Sequence, residues 1–167
     1  TLGAIWIDAH ADLHSPFSTP SGNIHGMPLA AALGNDNIEY QKNQVGAQAL
    51  LDWEALKNMG GVPPILAPQH LIYFGVRDYE AEEAAIMEKH QIKNYSVHEL
   101  RQRSFEVCIN ETLKRLEDVD LIYITFDVDA LDCDLISHGT GTPVSKGFDP
   151  QEIIQIIQGI QRCDKVV

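Results

Sequence analysis

The sequence predicts an α/β fold: a three-layer α/β/α sandwich with a mainly parallel sheet. Two observations predict it. Four short apolar runs, GAIWI (3–7), HLIYFG (70–75), IKNYSV (92–97) and LIYITFD (121–127), have the length of strands. The first, second and fourth are nearly continuous in Ile, Leu, Tyr, Phe and Trp rather than alternating, as burial on both faces requires. Between the runs lie stretches of helical period, so strands and helices alternate as in βαβ units with right-handed crossovers.

Each helix has its own signature. In DYEAEEAAIMEKHQ (78–91), Ala81, Ala84, Ala85 and Glu88 fall on successive turns. Acids come early and Lys89 and His90 late, as the helix dipole favours. SFEVCINETLKRLED (104–118) offers Ser104 as N-cap and sets Phe105, Cys108, Ile109, Thr112, Leu113 and Leu116 at helical spacing. In DPQEIIQIIQGIQR (149–162), Asp149 caps, Pro150 takes the first helical position, and Glu152 is placed to reach back. Ile153, Ile156, Ile157 and Ile160 then form one core-facing stripe. GGVPPILAP (60–68) breaks any helix and reads as a loop. The chain shows no internal repeat and no low-complexity segment.

With 167 residues, 44% of them hydrophobic, the chain can bury one sizeable core, so residues 1–167 read as a single domain. Both ends look cut: TLGAIWID enters a strand at once and CDKVV begins another, as in a piece of a longer chain. The formal net charge of −12 argues against nucleic-acid and anionic-membrane partners and suits a small cationic one. Cys108, Cys133 and Cys163 are odd in number and outside any CxxC pattern. That argues against a disulfide framework and a thiolate zinc site, and for a cytoplasmic location. No charged n-region with an apolar h-region opens these residues, and no apolar run reaches membrane length.

The chemistry concentrates at two strand ends, where ligands gather in folds of this class. Asp8, His10 and Asp12 in DAHAD follow the first strand at i, i+2 and i+4, a spacing that puts all three on one face of extended chain. FDVDALD repeats the pattern with Asp127 and Asp129 after the fourth strand. Carboxylates crowded in this way repel one another unless a cation sits between them. A calcium loop counted from Asp127 fails, with Asp132 in place of the sixth-position Gly and His138 in place of the twelfth-position Glu. An oxygen-rich set with one imidazole fits Mn²⁺ best. So many anionic ligands suit two ions, and a pair about 3.5 to 4 Å apart activates water at neutral pH.

DAHAD, SGNIHGMPLA, GVRDYE, and FDVDALD followed by GTGTPV together resemble the ureohydrolase family, and SGNIHGMPLA resembles its arginase branch. The match spans nearly the whole chain in the family's order. It implies the arginase/deacetylase-like sandwich, a binuclear manganese site at Asp8, His10, Asp12, Asp127 and Asp129, and hydrolysis of L-arginine to urea and L-ornithine. It also implies catalytic roles for His25, as proton shuttle to the departing amine, and for Asp12. Ser21 and Asn23 match the contacts to the amino acid's carboxylate, Asp78 and Glu80 those to its α-amino group, and Thr142 a residue near the guanidinium. Family members commonly form trimers or hexamers, which implies a homo-oligomer.

Two departures qualify the match. His14 stands where arginases usually carry an Asn that helps bind the carboxylate. The family's GGDH segment upstream, with a sixth ligand, and its guanidinium-pairing acid downstream have no counterpart in these residues. Weak or absent turnover is therefore expected of residues 1–167 alone. Three other readings stay open: an agmatinase or formimidoylglutamase, a single-zinc deacetylase of acyl-lysine or acylpolyamine, and a catalytically silent metal-binding paralogue.

Overall fold

The computed structural model describes residues 1–167. The apolar runs become β1 (Leu2–Ile7), β2 (Leu71–Phe74), β3 (Lys93–Tyr95) and β4 (Leu121–Phe126), which form one sheet in the order β3-β2-β1-β4. Every pairing is parallel: Ile5 of β1 lies opposite Ile72 on one side and Ile124 on the other. Six helices accompany the sheet: α1 (Pro28–Ala32), α2 (Ala47–Lys57), α3 (Ala81–Lys89), α4 (Val97–Arg103), α5 (Phe105–Arg115) and α6 (Pro150–Ile160).

Strand alternation sorts the side chains into two cores. Ile5, Ile7, Ile72, Phe74 and Ile122 point to one face, where they meet Leu100 of α4, Ile109 of α5 and Ile153, Ile156 and Ile160 of α6. Ala4, Leu71 and Tyr73 point to the other and meet Leu29 of α1 and Ile86 of α3. Handedness dictates this division. The chain steps from β1 to β2 to β3 in one direction, so right-handed crossovers put α1 and α3 on one face. It then returns past β1 to β4, which puts α4 and α5 on the other. The direction of winding reverses between β1 and β4, and such a switch point opens a crevice at the carboxyl ends of its strands.

The sequence expectation for α6 holds in detail. Asp149 and Glu152 form a reciprocal capping box around Pro150, and Ile153, Ile156 and Ile160 are buried. Elsewhere tertiary context overrides the local pattern. β4 is not buried on both faces: Leu121 and Tyr123 are exposed, because α1 and α3 cover β1 and β2 but do not extend over β4. IKNYSV is only half strand. Ser96 ends it by accepting a hydrogen bond from Glu99 N and capping α4, a helix the sequence reading missed. Ser104 is then the left-handed joint between α4 and α5, at φ 81°, with no side-chain capping bond.

The helix over 78–91 begins later than expected, at Ala81 behind Glu80. The short helix α1 was unpredicted. So was α2, which buries only Trp53 and Lys57 and therefore shows little apolar period. Beyond β4, Ile122 bridges Val166, so the expected strand at the chain's end is present as an isolated bridge. No helix is long and apolar enough to cross a membrane.

Candidate metal centre and its cavity

The ends of β1 and β4 are sewn together at the switch point. Asp127 N donates to Ile7 O at 2.9 Å, and Ala9 N donates to Asp129 Oδ1 at 3.2 Å across 120 residues of sequence. Asp8 is buried at the tip of β1, where its carboxylate accepts from Trp6 Nε1 at 3.0 Å and His10 N at 2.7 Å. His10 is pinned by a bridge to Asp78, whose N–H donates to Ala9 O at 3.0 Å. Its Nδ1 lies 3.1 Å from Asp129 Oδ2 and 3.6 Å from Asp8 Oδ1.

Every residue that the sequence singled out lines one cavity of about 650 Å³: Asp8, His10, Asp12, Asp127, Asp129, His25, Ser21, Asn23, His14, Asp78, Glu80 and Thr142. Pro20 apart, its lining side chains are all polar or charged, or glycine.

Convergence is closer for some of these residues than for others. One ligand atom each from Asp8, His10 and Asp129 lies within 4.8 Å of the other two. Asp12 and Asp127 line the cavity but stand outside that triad. The extended run ends at Asp12, which takes a left-handed φ of 54°. Nor do Asp127 and Asp129 sit on one extended strand. A 3-10 turn over Val128–Ala130 follows β4 directly, and Asp127 caps it by accepting from Asp129 N at 3.0 Å.

Electrostatics identify what this donor set lacks. Burial pushes the Asp8 carboxyl up against the opposing hydrogen bonds from His10, and burial and then the Asp8 charge push Asp12 up to about 8. His10 is raised to about 10, first by its hydrogen bond to Asp129 and then by that to Asp8. Burial also works against Asp129, but the His10 hydrogen bond and charge outweigh it and hold the carboxyl below its usual range. The His10 imidazole is thus the group that these acids crowd most closely. Hard oxygen donors with one nitrogen, closely spaced and mostly anionic, fit a divalent metal ion.

The surrounding shell is equally specific. Thr142 Oγ1 donates to Asp129 Oδ2 at 3.2 Å. Ser21 Oγ accepts from Asn23 N at 3.2 Å, which shapes the exposed turn that carries His25. His14 is buried, with Nδ1 3.3 Å from Ser18 Oγ and Nε2 2.9 Å from Glu80 Oε2.

Three residues escaped the sequence reading. Glu83 accepts from Leu13 N at 3.0 Å and from Glu80 N at 3.0 Å, fastening the loop after β1 to the start of α3. The Glu-x-x-Glu spacing of a capping box was its only signal. Arg77 sits between strand and helix and donates to the carbonyls of Asp129 at 2.9 Å, Val144 at 2.8 Å and Ser145 at 3.0 Å. Thr140 Oγ1 is buried on the cavity wall with no hydrogen-bond partner.

Glu83 supplies a pH signature. Burial, and then the Glu80 side chain, push its carboxyl up to about 7, from an unfolded value of about 4.3. The folded state keeps a proton that the unfolded chain has lost. Its contribution is therefore complete below the unfolded value and lost as pH rises through about 7. Glu83→Gln is expected to flatten the fall in melting temperature of metal-free protein between about pH 5 and 8, a change on the order of 2 kcal/mol. An unchanged slope would assign the fall to other groups.

Comparison with known proteins identifies the family. The profile of the Arginase family matches residues 1–167. The chain is 31% identical to arginase of Entamoeba histolytica over 166 residues, which cover 99% of this chain and 49% of that protein. It is 34% identical to arginase of Bacillus subtilis, over 90% of this chain and 45% of that one. The crystal structure of Bacillus caldovelox arginase superposes with a TM-score of 0.81 at 32% identity, over 99% of this chain and 50% of the other. The chain thus spans about half the length of the curated relatives it matches.

Proposed function

Because this chain belongs to the arginase family, we propose that it serves the manganese-dependent hydrolysis of L-arginine to urea and L-ornithine. The observation that carries this reading is the acidic cavity at the β1/β4 switch point, which suits a substrate with a cationic guanidinium. A relative points the same way: the Entamoeba histolytica arginase structure, to which this chain is 30% identical, is a complex with L-ornithine.

Asp8, His10 and Asp129 would hold the metal, with Asp12 and Asp127 closing the shell of a second ion. Such a pair would supply a water of lowered pKa for hydrolysis of the guanidinium at neutral pH. The remaining work falls to the chain's own groups. His25 donates a proton to the leaving amine, a role worth about 10²- to 10⁴-fold. Ser21 and Asn23 offer hydroxyl and amide donors to the α-carboxylate, and Asp78 and Glu80 face the α-ammonium. Thr142 orients Asp129 through the hydrogen bond described above. A cytoplasmic location and a homo-oligomer, trimer or hexamer, complete the reading.

Urea release from L-arginine with added Mn²⁺, with agmatine alongside, tests it. Urea from arginine, from this chain or from a longer parent that contains it, supports the reading, and no urea from either protein with either substrate removes it. A second reading, hydrolysis of agmatine or another guanidino substrate, is favoured by one contact. His14 holds the Glu80 carboxylate at 2.9 Å and so engages a group assigned to the amino-acid end. His14→Asn is accordingly expected to raise kcat/KM for L-arginine relative to agmatine by about tenfold, the value of one added hydrogen bond. An unchanged ratio would show that His14 does not set this preference.

A further inference from the structure

We propose a second cation site, of zinc-type chemistry, formed by Cys133, Asp134 and His138 in the loop beyond β4. Spacing in the sequence argues against a multi-thiolate site, but the fold assembles a mixed one. One ligand atom from each residue lies within 4.8 Å of the other two. Cys133 Sγ is 3.9 Å from Asp134 Oδ1, and His138 Nε2 is 3.6 Å from the same oxygen. Zinc bonds of about 2.3 Å to sulfur and 2.0–2.2 Å to nitrogen and oxygen put tetrahedral ligand atoms roughly 3.3–3.7 Å apart. The triad is therefore close to the required spacing before any ion arrives.

Its chemistry differs from that of the large cavity. One sulfur, one nitrogen and one oxygen make a softer set than carboxylates with a single imidazole, and they select zinc, cobalt or cadmium over manganese. Cys133 is buried at the base of the cluster, while the Asp134 and His138 side chains are 61% and 66% exposed, which leaves a fourth position open to water. Without metal, the thiol donates to Asp134. Loading an ion displaces that proton to solvent and leaves a thiolate ligand.

The loop is already braced where the cysteine sits. Cys133 N donates to Val144 O at 3.4 Å, and its sulfur lies 3.6 Å from Ser145 Oγ. The other thiols take no part: Cys108 is buried in the core beneath α4–α6, and Cys163 packs against that core.

Co²⁺ titration of the protein saturated with Mn²⁺ tests the proposal, because only a thiolate ligand gives a sulfur-to-cobalt charge-transfer band in the near ultraviolet. We expect that band at one equivalent and its loss in Cys133→Ser. His138→Ala, at an exposed position, should weaken Co²⁺ binding at least about tenfold, and Cys163→Ser should leave the band intact. Absence of the band in the unsubstituted protein, or its survival in Cys133→Ser, would overturn the site. The readout is independent of urea formation, so it stands or falls separately from the arginase reading.

Discussion

Replacing Asp12 with asparagine is expected to abolish the protection that Mn²⁺ gives the protein while leaving the metal-free fold at least as stable. The two effects have opposite signs because the Asp12 carboxylate is expensive without a cation: burial and the neighbouring Asp8 charge both resist its ionisation. An amide of the same shape removes that repulsion and costs the metal a ligand. At 100 times the dissociation constant, Mn²⁺ should stabilise the unsubstituted protein by about 2.7 kcal/mol, a rise in Tm of roughly 5–10 °C for a chain of this size. In Asp12→Asn, affinity should fall by roughly 100-fold or more, since even indirect partners of a ligand are worth 10- to 100-fold. Scanning calorimetry with and without Mn²⁺ reads both effects. A variant protected as well as its parent would remove Asp12 from the ligand set.

The second large effect concerns a residue outside the metal shell. Arg77→Met should lower stability by about 3–5 kcal/mol, because several hydrogen bonds to a charged group, each worth about 1.5–3 kcal/mol, are lost and only part of the loss is recovered by water. The guanidinium reaches the carbonyls of Asp129, Val144 and Ser145 together, a fork that lysine cannot reproduce. A Cβ at Gly147 would lie 2.6 Å from Arg77 Nη2 and 2.5 Å from Ala130 O. Gly147→Ala should therefore produce a milder form of the same defect. Urea denaturation measures both variants. A loss below about 1 kcal/mol in Arg77→Met would mean that the loop holds itself together without the arginine.

What the sequence disclosed and what it withheld follow from range. The α6 capping box and isoleucine stripe are local and were readable, as were acids placed after strands. The exposed face of β4 was not readable, because Leu121 and Tyr123 look like core until one knows which helices lie over which strands. Ser104 looks like an N-cap until Ser96 and α4 claim the turn before it. At the site, Asp8, His10, Asp12, Asp127, Asp129 and His25 of the DAHAD, FDVDALD and NIHG segments were legible as cavity-lining residues, whereas Glu83 and Thr140 on the same wall were not. The distinction between the tight Asp8–His10–Asp129 triad and the more distant Asp12 and Asp127 depends on a left-handed turn and a 3-10 turn that composition does not announce. Glu83 and Arg77 escaped because each acts on backbone far away in the chain.

The amide of Ala9 and the carboxylate of Asp129 meet across 120 residues, and that separation has a kinetic meaning. A nascent or partly refolded chain can hold Asp8 and His10 together as soon as β1 forms. It cannot present Asp129 until the winding has reversed and β4 has docked beside β1, a long-range step that comes slowly in parallel sheets. Metal capture should therefore lag behind helix formation in refolding, and a bound ion should slow hydrogen exchange across the whole sheet rather than in the loops alone.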